Sequence, residues 1–466
     1  MKGCSFVCSL FLFIQVKVLY LRDTQITEKM NAIIGSMKHM LAAVAVMLVC
    51  AGADAQNLWV FSKKNVEKYR NTWTKEHYVP ATYCGKGKIT AKDAQGNDMQ
   101  RYYISGDRAV AGPFKAGDSF IIEVPADKVP AGSFLDFNMT FTIQDGTPMD
   151  WILQVKDGGK WSQGKIFRCY GPASGSSHKH TSVYETFRLE HPSDGMISFR
   201  VQALDGYVRP SKGAEKEGGA MFVGGSYLGV LVNDYGTQAP KDTLKVLAIG
   251  NSFTYYCGSA VMLKEIAWHE GHYIDISAAL KGGWTMAKHL SLPTTNDMVA
   301  EGDYDYMLLQ DQSLIPAKVG RDPKGMHQQI RDMAAMATKV RTTSPGCKAI
   351  VECTWAYWKN DFGGFKSLED FDKNGKKGAK ILAKAVEDAV VSPISEAFRI
   401  VRDERHDINL YHTDKHHQSV YGSYLKSCVN YLVLYGKPFG SSPADCNLDP
   451  QVTAYLRSVA ERVVLK

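Results

Sequence analysis

The chain has 466 residues, of which 45% are hydrophobic and 22% charged, with a formal charge of +7. That length exceeds one ordinary domain, so two separate cores are expected, and the composition excludes a disordered or fibrous chain. Positive charge comes in short pairs such as Lys63-Lys64 and Lys376-Lys377. Without a long basic block, no nucleic-acid partner is expected.

Residues 1–55 read as leader rather than fold. Met37-Lys38-His39 precedes an apolar run from Met40 to Cys50 and then Ala53-Asp54-Ala55. A charged start, a short apolar stretch and small residues around a cut form the pattern of a secretory signal, with cleavage after Ala55. The run is too short to span a bilayer, which takes about 20 apolar residues. The mature chain is therefore expected in the periplasm or secreted, with no transmembrane segment. A second apolar stretch, Phe6 to Leu21, lies upstream; it reads as an extension, with translation starting at Met30 or Met37.

Seven cysteines follow the cut: Cys84, Cys169, Cys257, Cys347, Cys353, Cys428 and Cys446. An odd number with no C-x-x-C spacing fits neither a zinc site nor a dense disulfide framework, although one or two disulfides stay open after export. Cys347 and Cys353 flank a predicted core strand and are expected to be buried.

Residues 56–235 read as a β-sandwich domain. Phe120–Val124, Phe134–Ile143, Trp151–Val155 and Ile197–Val201 are short apolar or alternating runs separated by turn sequences such as Asp145-Gly146-Thr147-Pro148. Trp59, Trp73, Trp151, Trp161 and Tyr102-Tyr103 are expected to pack its core, the alternative being an exposed sugar-stacking platform. His178-Lys179-His180 reads as a solvated loop.

Residues 236–243 are a polar linker containing Gly236 and Pro240. From residue 244 to 466 strands alternate with helices. Leu244–Ile249, Tyr273–Ala279, Tyr306–Leu309, Lys348–Cys353 and Asp407–Tyr411 are predicted as strands. Ser259–His269, Met326–Arg341, Gly378–Arg402 and Val420–Leu434 are predicted as helices. The pattern implies a parallel five-stranded α/β sheet flanked by helices.

Function in such sheets gathers at the carboxyl ends of strands. The first predicted strand ends in Gly250-Asn251-Ser252-Phe253, a turn that exposes a hydroxyl near a helix N-terminus, where negative charge is stabilised. The last is followed by Asp414-Lys415-His416-His417. An Asp three residues before a His can turn back and fix that imidazole's tautomer. His412, Asp414, His416 and His417 are also possible metal ligands.

Gly250-Asn251-Ser252-Phe253 and Asp414-x-x-His417 resemble the first and last blocks of the SGNH (GDSL-like) hydrolases. Gly282-Gly283-Trp284-Thr285 stands in place of their glycine block, and Gln310-Asp311-Gln312-Ser313 in place of Gly-x-Asn-Asp. More narrowly, the chain is similar to a bacterial branch with Gly-Asn-Ser-Phe and Leu-Gln-x-Gln-Ser blocks. The resemblance implies a flavodoxin-like fold and a serine esterase acting without metal or cofactor. Ser252 would be nucleophile, His417 base and acid, and Asp414 orienter. The N–H groups of Ser252 and Gly283 and the Gln312 amide would form the oxyanion hole, with Gln310 as an alternative donor. The sequence departs from the family in Asn251 for Asp and Gln312 for Asn. Asn251, Trp284, Gln310, Trp355 and Trp358 are expected to bind substrate, an acylated glycan or small ester. A silent glycan-binding scaffold and a metal-dependent hydrolase centred on His412–His417 remain alternatives.

Overall fold

The computed structural model describes residues 58–59 and 88–465, apart from 106–107, 127, 170–179, 207, 209–217, 224–227, 360, 413 and 447. The leader with its cleavage site, Trp73, Cys84 and His178-Lys179 lie outside the described residues. Among the described residues no helix is long and apolar enough to cross a membrane.

The β-rich part consists of two antiparallel sheets. One is ordered Leu58–Trp59, Val230–Asp234, Phe134–Ile143, Ala220–Val223, Arg108–Ala111, Tyr102–Ser105, with Thr181–Arg188 also paired to Phe134–Ile143. The other is ordered Lys88–Lys92, Ser119–Pro125, Met196–Ala203, Asp150–Asp157, Lys160–Trp161, with Lys165–Arg168 paired to Asp150–Asp157. Because side chains alternate across a strand, Leu135, Phe137, Met139, Phe141 and Ile143 all enter one apolar core. Trp151 is buried there too, with its ring 5.2 Å from Phe114 and 4.9 Å from Phe141.

The intervening residues of the same strand, Asp136, Asn138, Thr140 and Thr142, are polar and also buried. A buried polar face needs partners. Asp136 has four: Lys264 Nζ (2.5 Å), Thr186 Oγ1 (2.9 Å), Tyr235 Oη (3.0 Å) and Asn138 Nδ2 (2.8 Å). Lys264 belongs to the α/β part of the chain.

That part is built on five parallel strands: β1 (Thr243–Gly250), β2 (Tyr273–Leu280), β3 (Tyr306–Leu309), β4 (Lys348–Glu352) and β5 (Val390–Ser392). Their spatial order is β2-β1-β3-β4-β5. Chain order reverses between β1 and β3, where doubly wound sheets open their binding crevice. The helices are α1 (Ser252–Tyr255), α2 (Ser259–His269), α3 (Met286–His289), α4 (Pro293–Glu301), α5 (Ile315–Arg321), α6 (His327–Arg341), α7 (Leu368–Ala385), α8 (Ile394–Glu404), α9 (Val420–Tyr435) and α10 (Pro450–Val464). Alternate β1 residues feed two cores. Val246 and Ala248 join Ile266 of α2 and Tyr424 of α9, while Leu247 and Ile249 join Met333, Met336 and Val340 of α6.

Two expectations are corrected. The fifth strand is Val390–Ser392, not Asp407–Tyr411, which contributes only an isolated bridge from Tyr411 to Gln418. The long helix expected over Gly378–Arg402 is two helices, α7 and α8, separated by that strand. Asp388 takes a left-handed conformation (φ 55°), Val390-Val391 favour extended backbone, and Pro393 cannot sit inside a helix.

Six described cysteines (Cys169, Cys257, Cys347, Cys353, Cys428 and Cys446) are free and buried.

Removing the Lys264 ammonium leaves Asp136 buried and uncompensated. Lys264→Met should cost about 3–5 kcal/mol of stability, and adding Asp136→Leu should recover much of it. Urea unfolding of the three proteins measures both.

Candidate active site

The first strand delivers Gly250 and Asn251 to the switch point. Gly250 is required by close approach: a Cβ there would lie 2.8 Å from Gln310 Oε1 and 2.9 Å from Thr254 Oγ1. Asn251 caps α1, its Oδ1 accepting from Phe253 N–H (3.1 Å). Ser252 is thereby the first helical residue, with its own N–H among those a helix start leaves open.

The helix stops after one turn. Cys257 (φ 51°) and Gly258 (φ 70°) are left-handed, and the break exposes carbonyls that side chains from residues 418–427 then satisfy. Gln418 Nε2 donates to Phe253 O and Tyr256 O (both 3.1 Å), and Lys426 Nζ to Phe253 O (2.9 Å). Ser423 Oγ donates to Tyr256 O (3.0 Å) and Ser427 Oγ to Ser259 O (2.8 Å).

These bonds bring the segment that carries His417 against Ser252. His417 Nε2 lies 2.7 Å from Ser252 Oγ, and His417 Nδ1 lies 2.6 Å from Asp414 Oδ2. Asp414 Oδ1 accepts the backbone N–H groups of His416 (3.1 Å) and His417 (3.0 Å), which leaves Oδ2 aimed at the ring. The loop is pinned outside as well, by Trp355 Nε1–H to His416 O (3.0 Å) and Trp358 N–H to Lys415 O (2.9 Å). Tyr256 stacks on the imidazole, with ring centroids 3.9 Å apart and planes within 8°.

Burial disfavours the charged form of both groups. For Asp414 it is outweighed by the hydrogen bond and charge of His417, which hold the carboxyl well below the usual range. For His417 burial prevails over the pull of Asp414 and lowers the pKa, so the imidazole is neutral at neutral pH and able to accept a proton.

The cavity over this relay has a volume of about 250 Å³. Gly283 and Gln312 line it together with Ser252. Gly283 is exposed and left-handed (φ 71°). The Gln312 Oε1 accepts from Leu314 N–H (3.0 Å), and its Nε2 lies 3.4 Å from Ser313 Oγ.

Two of the expected substrate-binding residues, Trp355 and Gln310, are corrected. Trp355 is fully buried, stacked between Phe253 (4.7 Å) and Phe398 (4.3 Å), and has no face for a ligand. Gln310 is buried behind the turn. Its Oε1 accepts from Asn251 N–H (3.0 Å) and Thr254 Oγ1 (3.1 Å), and its Nε2 donates to Asp311 O, so it offers the cavity no donor. Asn251 borders the cavity, but its amide serves protein partners, donating to Trp284 O (3.0 Å) while capping α1. Trp284, half-buried with the Lys281 ammonium 3.4 Å from its ring centroid, and Trp358, 47% exposed, are outside the cavity lining.

Three residues escaped the sequence reading: Tyr256, His289 and Asp311. His289 is buried between Thr295 Oγ1 (2.8 Å) and Gly250 O (3.0 Å), and burial lowers its pKa to about 4, which keeps it neutral behind the turn. Asp311 Oδ1 accepts from Met286 N–H (3.0 Å) and Gln312 N–H (2.7 Å), joining the segment after Gly283 to the one carrying Gln312. The available signal for Asp311 was an acidic side chain between two glutamines at the end of an apolar strand.

No protein-family profile matches the chain, and no curated protein matches it in sequence. Solved structures do overlap with it. A DUF4886 family protein from Bacteroides uniformis is 19% identical, over 48% of this chain and 95% of that one, with a TM-score of 0.42. A family two carbohydrate esterase from Clostridium thermocellum is 10% identical, over 75% and 98%, with a TM-score of 0.32. The lipase Lip_vut3 from a goat rumen metagenome is 15% identical, over 42% and 99%, with a TM-score of 0.31. At such scores the functional reading rests on the chain's own geometry.

Burial raises the Asp311 pKa to about 7, with the Asp332 charge adding to it and the two N–H bonds opposing. An unfolded Asp titrates near 3.9, so the folded state holds its proton to higher pH. The stability this contributes is complete below about pH 4 and is lost as pH rises toward about 7. Asp311→Asn should therefore gain stability relative to the parent chain as pH rises from 4 to 7.5, which urea midpoints across that range would register.

Proposed function

We propose that the chain is an exported serine esterase that removes acetyl or other small acyl groups, with acylated carbohydrate as substrate. The observation that carries the reading is the Asp414–His417–Ser252 relay, continuous at 2.6 and 2.7 Å. In this reading residues 1–55 are the leader, 56–235 an accessory β-sandwich domain, 236–243 a linker and 244–466 the SGNH-like catalytic domain. Export follows from the apolar run and the Ala53-Asp54-Ala55 cut.

Ser252 Oγ attacks the acyl carbonyl as His417 Nε2 takes its proton, and Asp414 stabilises the imidazolium that forms. The carbonyl oxygen becomes an oxyanion held by the N–H groups of Ser252 and Gly283 and by the Gln312 amide. Each such donor is worth about 2.7–4 kcal/mol in the transition state. His417 then protonates the leaving alkoxide, and water repeats the sequence to release the acid. The role of the relay needs no metal.

The cavity volume, about 250 Å³, and its aromatic walls of Phe253, Tyr255, Tyr256 and Tyr357 favour short acyl chains. Glycan selectivity would come from outside this cavity, where Trp358 is exposed.

On p-nitrophenyl acetate, Ser252→Ala should lose activity by about 10⁴–10⁶-fold, and chelator should leave the parent enzyme's rate unchanged. An octanoyl ester should turn over at least about tenfold more slowly than the acetyl ester. Retained activity in Ser252→Ala removes the triad. A parent protein inert on acetyl esters and acetylated glycans alike, yet binding glycan, is the silent scaffold instead.

A further inference from the structure

Acyl transfer uses one imidazole, yet three converge on the Asp414 carboxylate. His417 Nδ1 is 2.6 Å from Oδ2, His416 Nδ1 is 3.3 Å from Oδ1 and His412 Nδ1 is 3.9 Å from Oδ2. Ligand atoms of Asp414, His416 and His417 all fall within 4.8 Å of one another. Zinc bonds of 2.0–2.2 Å in tetrahedral geometry put neighbouring ligand atoms about 3.4 Å apart. His416 Nδ1 faces Oδ1 and His417 Nδ1 faces Oδ2, so with one carboxylate oxygen as ligand the His417–Oδ2 pair opens by less than about 1 Å and the remaining pairs, all within 4.8 Å, close by at most about 1.4 Å. The side chains of Asp414, His416 and His417 are 31%, 20% and 12% exposed, so an ion can reach them from solvent.

We propose that Asp414, His416 and His417 form a zinc site that switches the esterase off. Two imidazoles and a carboxylate suit Zn²⁺, with water as fourth ligand, and do not suit Mg²⁺, which prefers oxygen. The inhibition follows from the tautomer. In the resting relay the His417 proton is on Nδ1, bonded to Asp414, and the Nε2 lone pair accepts from Ser252. Zinc bound at Nδ1 takes that nitrogen's lone pair and moves the ring proton to Nε2. Nε2–H then donates to Ser252 Oγ and can no longer accept its proton. The imidazole neither gains nor loses a proton, Asp414 turns from orienter to ligand, and the same three residues cannot serve both states at once. His416, which supplies no atom to acyl transfer, is the residue that makes the second state possible.

The inhibitory consequence rests on the esterase reading, whereas zinc binding does not, and the experiment separates them. Titration calorimetry of zinc into the Ser252→Ala protein, which needs no turnover, should give one ion per chain with micromolar affinity. His416→Gln in the same background should weaken binding at least tenfold. Nitrogen-15 spectra of the histidine-labelled parent protein should show one ring's proton move from Nδ1 to Nε2 on zinc addition, and esterase activity should fall with the same affinity and return with chelator. Absence of saturable binding, or equal affinity in His416→Gln, overturns the site. Binding as expected with undiminished acetyl-ester turnover overturns the switch. Binding as expected in a chain that has no esterase activity leaves the metal site standing and removes the esterase reading alone.

Discussion

The carbonyls left open where the helix breaks after Tyr255 determine where the segment from Gln418 to Ser427 lies. A one-turn helix followed by two left-handed residues cannot satisfy Phe253 O and Tyr256 O internally. Gln418, Ser423 and Lys426 supply the donors, and Ser427 adds a further one to Ser259 O. Since His417 immediately precedes Gln418, satisfying the backbone of one segment also sets the separation between Ser252 and His417, 165 residues apart in sequence. Lys426 is 2% exposed and needs an anion, which Glu352 at the end of β4 provides at 2.6 Å. Glu352 is held in turn by Asn430, and Asn430 by Ser392 of β5. A buried pair of this kind contributes little net stability. Its effect is geometric: α9 can dock on α1 in one register only.

The β-rich part is attached by the same kind of bond. The strand Phe134–Ile143 has an apolar face and a polar face, both buried, and the polar one meets α2 through Asp136 and Lys264. Around that ion pair Trp268 of α2 stacks on Tyr235 (4.6 Å) and lies 5.0 Å from Phe134. Tyr184, Leu228 and Leu231 join the core that also contains α2 and α9. The helix that follows the Ser252 turn is thus held on one side by α9 and on the other by the β-rich part. A change in Asp136 is felt at α2, which continues the chain from Ser252.

The sequence displayed whatever depends on local spacing. Asp414 and His417 are three residues apart, so their contact needs one turn of chain, and Gly250-Asn251-Ser252 identifies itself by following an apolar strand. The strands around Phe120, Phe134, Trp151 and Ile197 alternate plainly and lie within strands of the structure. Val390–Ser392 is three residues long between two amphipathic helices, too short for periodicity to separate it, and an apolar run before the histidine cluster took its place. Trp355 and Gln310 were misread for another reason. Residue type beside an active site suggests ligand contact, whereas direction is decided by packing: Trp355 turns inward onto Phe398, and Gln310 turns back onto Asn251 N–H.

Asp311 shows how that inward turn serves the site. The two segments on which the proposed oxyanion donors Gly283 and Gln312 stand have no regular structure of their own between strand and helix. One carboxylate oxygen, buried and bonded to Met286 N–H and Gln312 N–H, ties them together. Neutral or charged, that oxygen accepts both bonds, so the tie itself persists through the titration while its electrostatic cost changes. A negative charge here would oppose the oxyanion that the neighbouring N–H groups are proposed to stabilise. Burial, by raising the Asp311 pKa to about 7, delays that charge to the pH range in which His417 is already neutral. Burial thus acts on the two groups in complementary ways, holding Asp311 protonated to higher pH and His417 neutral to lower pH than either would be in water.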